Sequence, residues 1–146
     1  MEFALRSATI DDKEFLYQLN KSTMSSHVER IWGSWDDAWQ RDNFDKKFTL
    51  EGYDVIDVDG RNAGALWVSR ETSQIKVERL HILSEFQGRG IGTRILRNLI
   101  REASDQSREI VLSVLRTNTR AKSLYERLGF EEIGNDGNKF HMKHFV

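Results

Sequence analysis

The chain contains no cysteine and no proline. Without cysteine there is no disulfide framework, no thiolate nucleophile, no acyl-cysteine intermediate and no Cys-ligated metal. No Pro/Ser-rich linker, low-complexity tract or internal repeat interrupts the 146 residues, so a single domain over 1–146 is expected. Excess charge is missing too: 22 Lys and Arg stand against 23 Asp and Glu, a formal net charge of −1. A general nucleic-acid binder needs a large basic excess, so nucleic acid is not an expected partner. No apolar stretch reaches membrane-spanning length, and MEFALRSATIDD has no basic segment followed by a long apolar run. A cytoplasmic protein without a membrane partner is the expectation. Hydrophobic residues at 38% and charged residues at 31% give an ordinary globular balance.

Periodicity divides the chain into alternating elements. Phe3 to Ala8 reads as a first strand, and Thr9 or Asp11 as the cap of a helix running to about Asn20. Residues 22–34 read as a polar connection before a second helix from about Asp36 to Phe48. Trp35, Trp39, Phe44 and Phe48 suit the buried stripe of that helix. Tyr53–Val58 and Ala63–Arg70 form a hairpin through Asp59-Gly60. In the next strand, Gln74 to Leu83, apolar residues fall at Ile75 and Val77 and then at Leu80 and Ile82. The alternation slips by one near Glu78 and Arg79, which a β-bulge would repair. A helix to about Ser104 carries Ile91, Ile95, Leu99 and Ala103 on one face. Glu109–Leu115 is an apolar strand, and Thr119–Leu128 a helix burying Ala121, Leu124, Tyr125 and Leu128 and ending at Gly129. A closing hairpin turns at Asn135-Asp136-Gly137. The sum is an α+β domain on a central mixed sheet.

Between the slipped strand and its helix lies QGRGIG, Gln87 to Gly92. Glycines before a helix N-terminus make a phosphate cradle, because unpaired N–H groups and the positive dipole end face the anion. Two familiar owners fail on spacing. Nothing like Gly-Lys-Ser/Thr follows, as a P-loop requires. The dinucleotide fingerprint fails as well: Thr93 stands at its third glycine, and the next strand ends in Leu115-Arg116-Thr117-Asn118 with no acid.

The spacing Gln87-x-x-Gly90-x-Gly92 within RLHILSEFQGRGIGTRILRNLI resembles the acetyl-coenzyme-A signature of the GNAT N-acetyltransferase superfamily. VLSVLRTNTRAKSLYERLGFEEIG resembles the second landmark of that family, a strand, an Asn, a helix with Tyr, and Gly-Phe. The order of elements agrees over nearly the whole chain. Many relatives carry a proline just before the loop, where this chain has Ser84-Glu85. The resemblance implies a mixed, mostly antiparallel central sheet with a splayed parallel strand pair, flanked by helices. It implies acetyl-CoA as donor and no metal. The amides of Gln87, Gly88, Arg89, Gly90, Ile91 and Gly92 would hold the pyrophosphate, with Arg89 adding charge and Thr93 facing it. Backbone at His81, Ile82 and Leu83 would meet the pantetheine arm in the manner of an added strand.

Amide formation needs an ammonium deprotonated, an oxyanion stabilised and a thiolate assisted. The resemblance points to Glu78, nine residues before Gln87, as base; an exposed strand glutamate paired with Lys76 or Arg79 is the alternative. His81 is the second candidate base. The Ile82 N–H is the implied oxyanion donor. Tyr125, seven residues after Asn118, is the implied acid for the thiolate, or else part of a core stripe. Asn118 contacts pantetheine or the acceptor, or caps the helix that follows. Lys122 and Arg120 either reach the cofactor's 3′-phosphate or line a solvated helix face. The histidines 27, 81, 141 and 144 have no metal-ligand spacing. For the acceptor, His27, Glu29 and Trp32 in STMSSHVERIWGSW are the candidate contacts, an aromatic and acidic wall suited to a cationic amine. The expected activity is direct acetyl transfer in a ternary complex to a primary amine of a small molecule or a protein. The alternative is a non-catalytic acyl-CoA-binding or regulatory module on the same fold. Dimers are common among relatives, so a homodimer is compatible with the resemblance.

Overall fold

The computed structural model describes residues 2–146 and resolves into two compact units that share the chain. The first takes residues up to Trp67 together with 79–87; the second takes 68–78 and 88–146. The chain crosses from one to the other within two strands and once more at the glycine loop. Seven strands form one sheet in the order β1-β2-β3-β4-β5-β7-β6. The β1–β2, β2–β3, β5–β7 and β6–β7 pairs are antiparallel and β4–β5 is parallel. The expected α+β architecture with a mixed, mostly antiparallel sheet is therefore the one observed.

In the first unit, β1 (Ala4–Ser7) leads through a 3-10 turn, Ile10–Asp12, into α1 (Lys13–Trp32), followed by α2 (Asp37–Lys47) and β2 (Tyr53–Val58). Asp12 organises the entry. Its carboxylate accepts both Arg6 guanidinium bonds at 2.9 Å and the Thr9 N–H at 2.8 Å, and the Arg6 contact holds its pKa down to about 2. The first helix does not stop near Asn20. It runs through the polar stretch to Trp32 and ends at Gly33, whose φ of 94° is the left-handed geometry of a terminating glycine. Ser22 and Thr23 do not break it, because their hydroxyls donate back to the Leu19 carbonyl at 3.1 and 2.8 Å. Phe44 is buried as expected, and Trp35 and Phe48 are partly so, but Trp39 is 60% exposed. Trp39 and Phe44 are five positions apart, which turns the two about 140° from each other on a helix. The core of this unit gathers Leu16, Tyr17, Leu19, Phe44, Tyr53, Val55 and Ala65.

Strands β2 and β3 (Arg61–Arg70) turn at Asp59 and Gly60, with φ of 52° and 80°, the paired left-handed residues of a tight hairpin. Gly64 on β3 has a different reason to be glycine. A Cβ there would collide with the His81 carbonyl oxygen and lie 3.0 Å from the Ile82 Cα, both of them backbone atoms on β4 that cannot swing aside. Gly64→Ala is expected to destabilise the fold by about 2 kcal/mol, within the overpacking range. Thermal denaturation checks this, and an unchanged midpoint would show that the two backbones are free to part.

In the second unit, α3 (Ile91–Asp105) buries Ile91, Ile95, Leu96, Leu99 and Ala103, the anticipated stripe plus one neighbour. Each of the four Ile and Leu side chains contributes roughly 2 kcal/mol of burial. Strand β5 (Glu109–Leu115) adds Ile110, Leu112, Val114 and Leu115. Helix α4 (Thr119–Arg127) has no fully buried residue, so Ala121, Leu124, Tyr125 and Leu128 are only partly covered, contrary to the expected core stripe. The aromatic neighbour of the Tyr125 ring is Phe130, at 5.9 Å. Strands β6 (Glu131–Asn135) and β7 (Lys139–His144) close the chain, their turn fixed by Asp136 accepting from the Asn138 and Lys139 amides.

Strand β4 spans Gln74–Ile82. Its parallel ladder with β5 runs from Gln74↔Glu109 to Val77↔Leu112 and stops, although β5 continues to Leu115 in register with β7. The burial alternation of β4 also ends there: Ile75 and Val77 are buried, and every residue from Glu78 to Ile82 is intermediate. The break in alternation read from the sequence thus coincides with the end of the β4–β5 ladder.

Candidate active site

The glycine loop is built from its two flanks. On its N-terminal side the Leu83 N–H donates to the Ala63 carbonyl at 2.9 Å, and a 3-10 turn, Ser84–Phe86, is pinned by buried Phe86 with Arg61 4.8 Å over its ring. Gln87 ties the start of the loop to the strand, its side-chain amide donating to the Ile82 carbonyl at 2.7 Å. On its C-terminal side Gly88 and Gly90 hold φ of 75° and 82°, and Gly90 is the N-cap of α3. A Cβ on either glycine would meet nothing, so the left-handed backbone rather than crowding calls for glycine. With no side chain capping this terminus, the first-turn amides at Ile91, Gly92 and Thr93 have no intrahelical acceptor. Residues 87–90 are exposed. The result is a set of N–H donors at a positive helix end, open to an anion.

The strand before the loop carries the next candidates. Glu78 is mostly buried, with 17% of its side chain exposed, and pairs with Lys76 Nζ at 3.0 Å. The ion pair anticipated as the alternative is thus present, with Lys76 as partner. His81 is held down to about 3, by burial first and by the Arg79 charge second. Its imidazole stays neutral throughout the working range but is too weakly basic to compete for an ammonium proton near neutrality. Leu83 packs against the aromatic core of the first unit.

On α4, Asn118 is the N-cap, its side chain accepting from the Ala121 N–H at 3.3 Å. Lys122 is engaged by Glu132 at 3.3 Å and Glu126 at 3.5 Å and lies 4.5 Å over the Phe140 ring. Tyr125 has its hydroxyl pushed up to about 12 by burial. That hydroxyl makes no hydrogen bond with any described residue, and because no buried side-chain polar atom is left unpaired, it retains contact with the exterior.

His27, Glu29 and Trp32 lie on the last turns of α1 rather than in a loop. His27 is half-buried, with burial lowering its pKa, while Glu29 and Trp32 are exposed. Two features escaped the sequence reading: the close backbone approach at Gly64, and Arg79 standing over the rings of Phe44 and Trp67. A glycine inside a strand was the available signal for the first. Among the described residues no cluster of His, Asp and Glu could hold a metal ion, and no helix is long and apolar enough to cross a membrane. A shallow groove of about 530 Å³ beside Arg97, Arg101 and Arg127 contains none of the candidate residues.

A family model described as the acetyltransferase (GNAT) family matches residues 14–130. An uncharacterised N-acetyltransferase of Methanocaldococcus jannaschii is 29% identical over 89% of this chain and 61% of its own length. A mycothiol acetyltransferase of Clavibacter sepedonicus is 32% identical over 91% of this chain and 44% of its own length. The chain thus spans less than two thirds of these curated relatives. In fold, it is similar to the PaiA N-acetyltransferase of Thermoplasma acidophilum in complex with coenzyme A, with a TM-score of 0.79 at 18% identity over the full length of both chains.

Proposed function

We propose that this chain, which belongs to the acetyltransferase (GNAT) family, is an acetyl-CoA-dependent N-acetyltransferase that acts by direct transfer to a primary amine of a small molecule or a protein. Residues 1–146 are read as one N-acetyltransferase domain, since each unit carries part of the motif set. The amides from Gln87 to Gly92, with Arg89 and Thr93, hold the pyrophosphate, a role supported by the uncapped and exposed start of α3. Backbone at His81, Ile82 and Leu83 lines the pantetheine arm. Asn118 shapes the same arm from the cap of α4. Lys122 already serves two carboxylates, with which a 3′-phosphate would have to compete.

Acetyl-CoA supplies the activated thioester. Glu78 takes a proton from the acceptor ammonium, directly or through water. The freed amine lone pair forms the C–N bond, and the Ile82 N–H donates to the developing oxyanion. As the C–S bond breaks, its electron pair leaves on sulfur, where Tyr125 donates to the thiolate. The products are an N-acetyl amide and coenzyme A, with one proton released overall. Tyr125 is the observation that carries an enzyme over a mere binder: a tyrosine hydroxyl with no internal partner has no structural task, and a binder needs only the loop. His27, Glu29 and Trp32 remain the acceptor contacts suggested by position.

The test is acetyl transfer from acetyl-CoA against a panel of amines, with thermal denaturation in parallel. Acetyl-CoA at about 100 times its Kd is expected to add roughly 2.7 kcal/mol to stability. No stabilisation by acetyl-CoA at millimolar concentration sinks the reading.

A further inference from the structure

Two arginines of the first unit stand over its aromatic cluster, and they differ in one respect. Arg41 lies 3.8 Å from the Tyr17 ring centroid and is paired with both carboxylate oxygens of Glu14, at 2.8 and 2.9 Å. Arg79 lies 5.4 Å from the Phe44 ring and 5.6 Å from that of Trp67, and no carboxylate pairs with it among the described residues. Trp67 in turn stacks on Tyr53 at 5.4 Å with the rings 6° from parallel. Ring faces attract the cation but accept none of its five N–H donors in their plane. Desolvating a guanidinium is costly without an anion, and the cost grows with its burial. Arg79 is half-buried, and beside the rings its guanidinium hydrogen-bonds the Tyr53 hydroxyl, a neutral partner that leaves its charge unbalanced. Its charge reaches its neighbours, lowering the His81 imidazole and opposing the upward push of burial on the Tyr53 hydroxyl.

The position matters as much as the charge. Arg79 on β4 and Leu83 just beyond its end pack on the same aromatic cluster, with His81 midway between them in the chain. Arg79 therefore lies about 7 Å along the strand from His81, where the thioester arm is proposed to begin. An acceptor whose amine sits at the arm would reach the guanidinium with a group a few bonds away.

We propose that Arg79 binds a carboxylate or phosphate on the acceptor, so that the enzyme acetylates amines that also carry a negative charge. This inference rests on the acetyltransferase reading, and it assigns the acceptor a charge opposite to that suggested by Glu29 and the tryptophans.

Matched acceptors test it: β-alanine against its amide for the carboxylate, phosphoethanolamine against ethanolamine for the phosphate, and cadaverine as a cationic control. Where a pair shows no turnover, the same comparison is made by thermal shift in the presence of coenzyme A. The wild-type protein is expected to favour the anionic member of at least one pair by about 10-fold or more, the scale of a charge-assisted hydrogen bond. Arg79→Met, which keeps an apolar stem over the rings, is expected to lose that preference through KM. Arg79→Lys recovers part of it, and coenzyme A affinity stays within about two-fold in both variants. Preference for the neutral or cationic member, or an anionic preference that survives in Arg79→Met, overturns the inference. Such a result with normal acetyl-CoA stabilisation leaves the acetyltransferase reading standing; loss of that stabilisation in the wild type removes both.

Discussion

Tyr125→Phe is expected to lower kcat about 100-fold while leaving the fold and the affinity for acetyl-CoA nearly unchanged. The reduction is the low end of what a positioned proton or hydrogen-bond donor contributes. The fold is spared because phenylalanine keeps the ring against Phe130, and the hydroxyl that disappears has no hydrogen bond inside the protein to lose. The pKa of about 12 sets the pH dependence. A group raised this far stays protonated through the range in which an enzyme works, so tyrosine deprotonation should not cut the wild-type rate between pH 7 and about pH 10. Rates that rise with pH then report loss of a proton from the acceptor ammonium or its base. The same number limits the role. A thiol near the ordinary value of about 8.5 holds its proton less tightly than this tyrosine, so complete transfer to sulfur is uphill by roughly 5 kcal/mol. Tyr125 acts best as a hydrogen-bond donor to charge growing on sulfur, with the proton finally supplied from the amine side. Steady-state kinetics with coenzyme A inhibition as the affinity control decide this. Full turnover in Tyr125→Phe would return the tyrosine to a packing role.

What the sequence could and could not convey divides along physical lines. Strong local rules carried through: the α3 stripe at Ile91, Ile95 and Leu99, the Asp59-Gly60 turn, and the glycines whose positive φ starts α3. The end of regular alternation at Glu78 was legible too, since a period of two has a definite phase: burial alternates up to Val77 and not beyond. The length of α1 was misjudged because Ser22, Ser25 and Ser26 suggest a loop by propensity. Back-bonding hydroxyls at Ser22 and Thr23 and the Gly33 stop outweigh that weak preference. Trp39 is exposed because its angle around the helix, which aromatic content alone does not convey, points it away from Phe44. Gly64 and Arg79 depend on contacts between residues about 17 and 35 positions apart, which no local pattern encodes. The donor half of the proposed site was thus readable as a motif, and the acceptor half, which rests on tertiary neighbours, was not.

Gly90→Asp is expected to raise the Kd for coenzyme A by at least about 100-fold in a protein that still folds. Aspartate is among the few residues that tolerate a left-handed backbone, and here φ is 82° with no atom near the added Cβ. A carboxylate at a helix N-cap also gains from the dipole by roughly 0.3–1 kcal/mol, offsetting much of the backbone cost of about 1 kcal/mol. The midpoint of thermal denaturation should therefore move by only a few degrees. Binding meets the opposite effect, because the new charge sits where the amides of Ile91, Gly92 and Thr93 would receive a pyrophosphate. Like charges about 4 Å apart repel by up to roughly 4 kcal/mol near a protein surface, and the carboxylate also occupies donors the ligand needs. Gly90→Asn separates shape from charge: it keeps the size and the left-handed tolerance, and its loss should be several-fold smaller. Calorimetric titration gives the two Kd values, and pantetheine, which lacks the phosphates, serves as the control. Equal weakening of pantetheine and coenzyme A would mean that the loop had collapsed rather than repelled its ligand. Wild-type affinity of Gly90→Asp for coenzyme A would remove the start of α3 from phosphate recognition, and with it the motif on which the donor assignment stands.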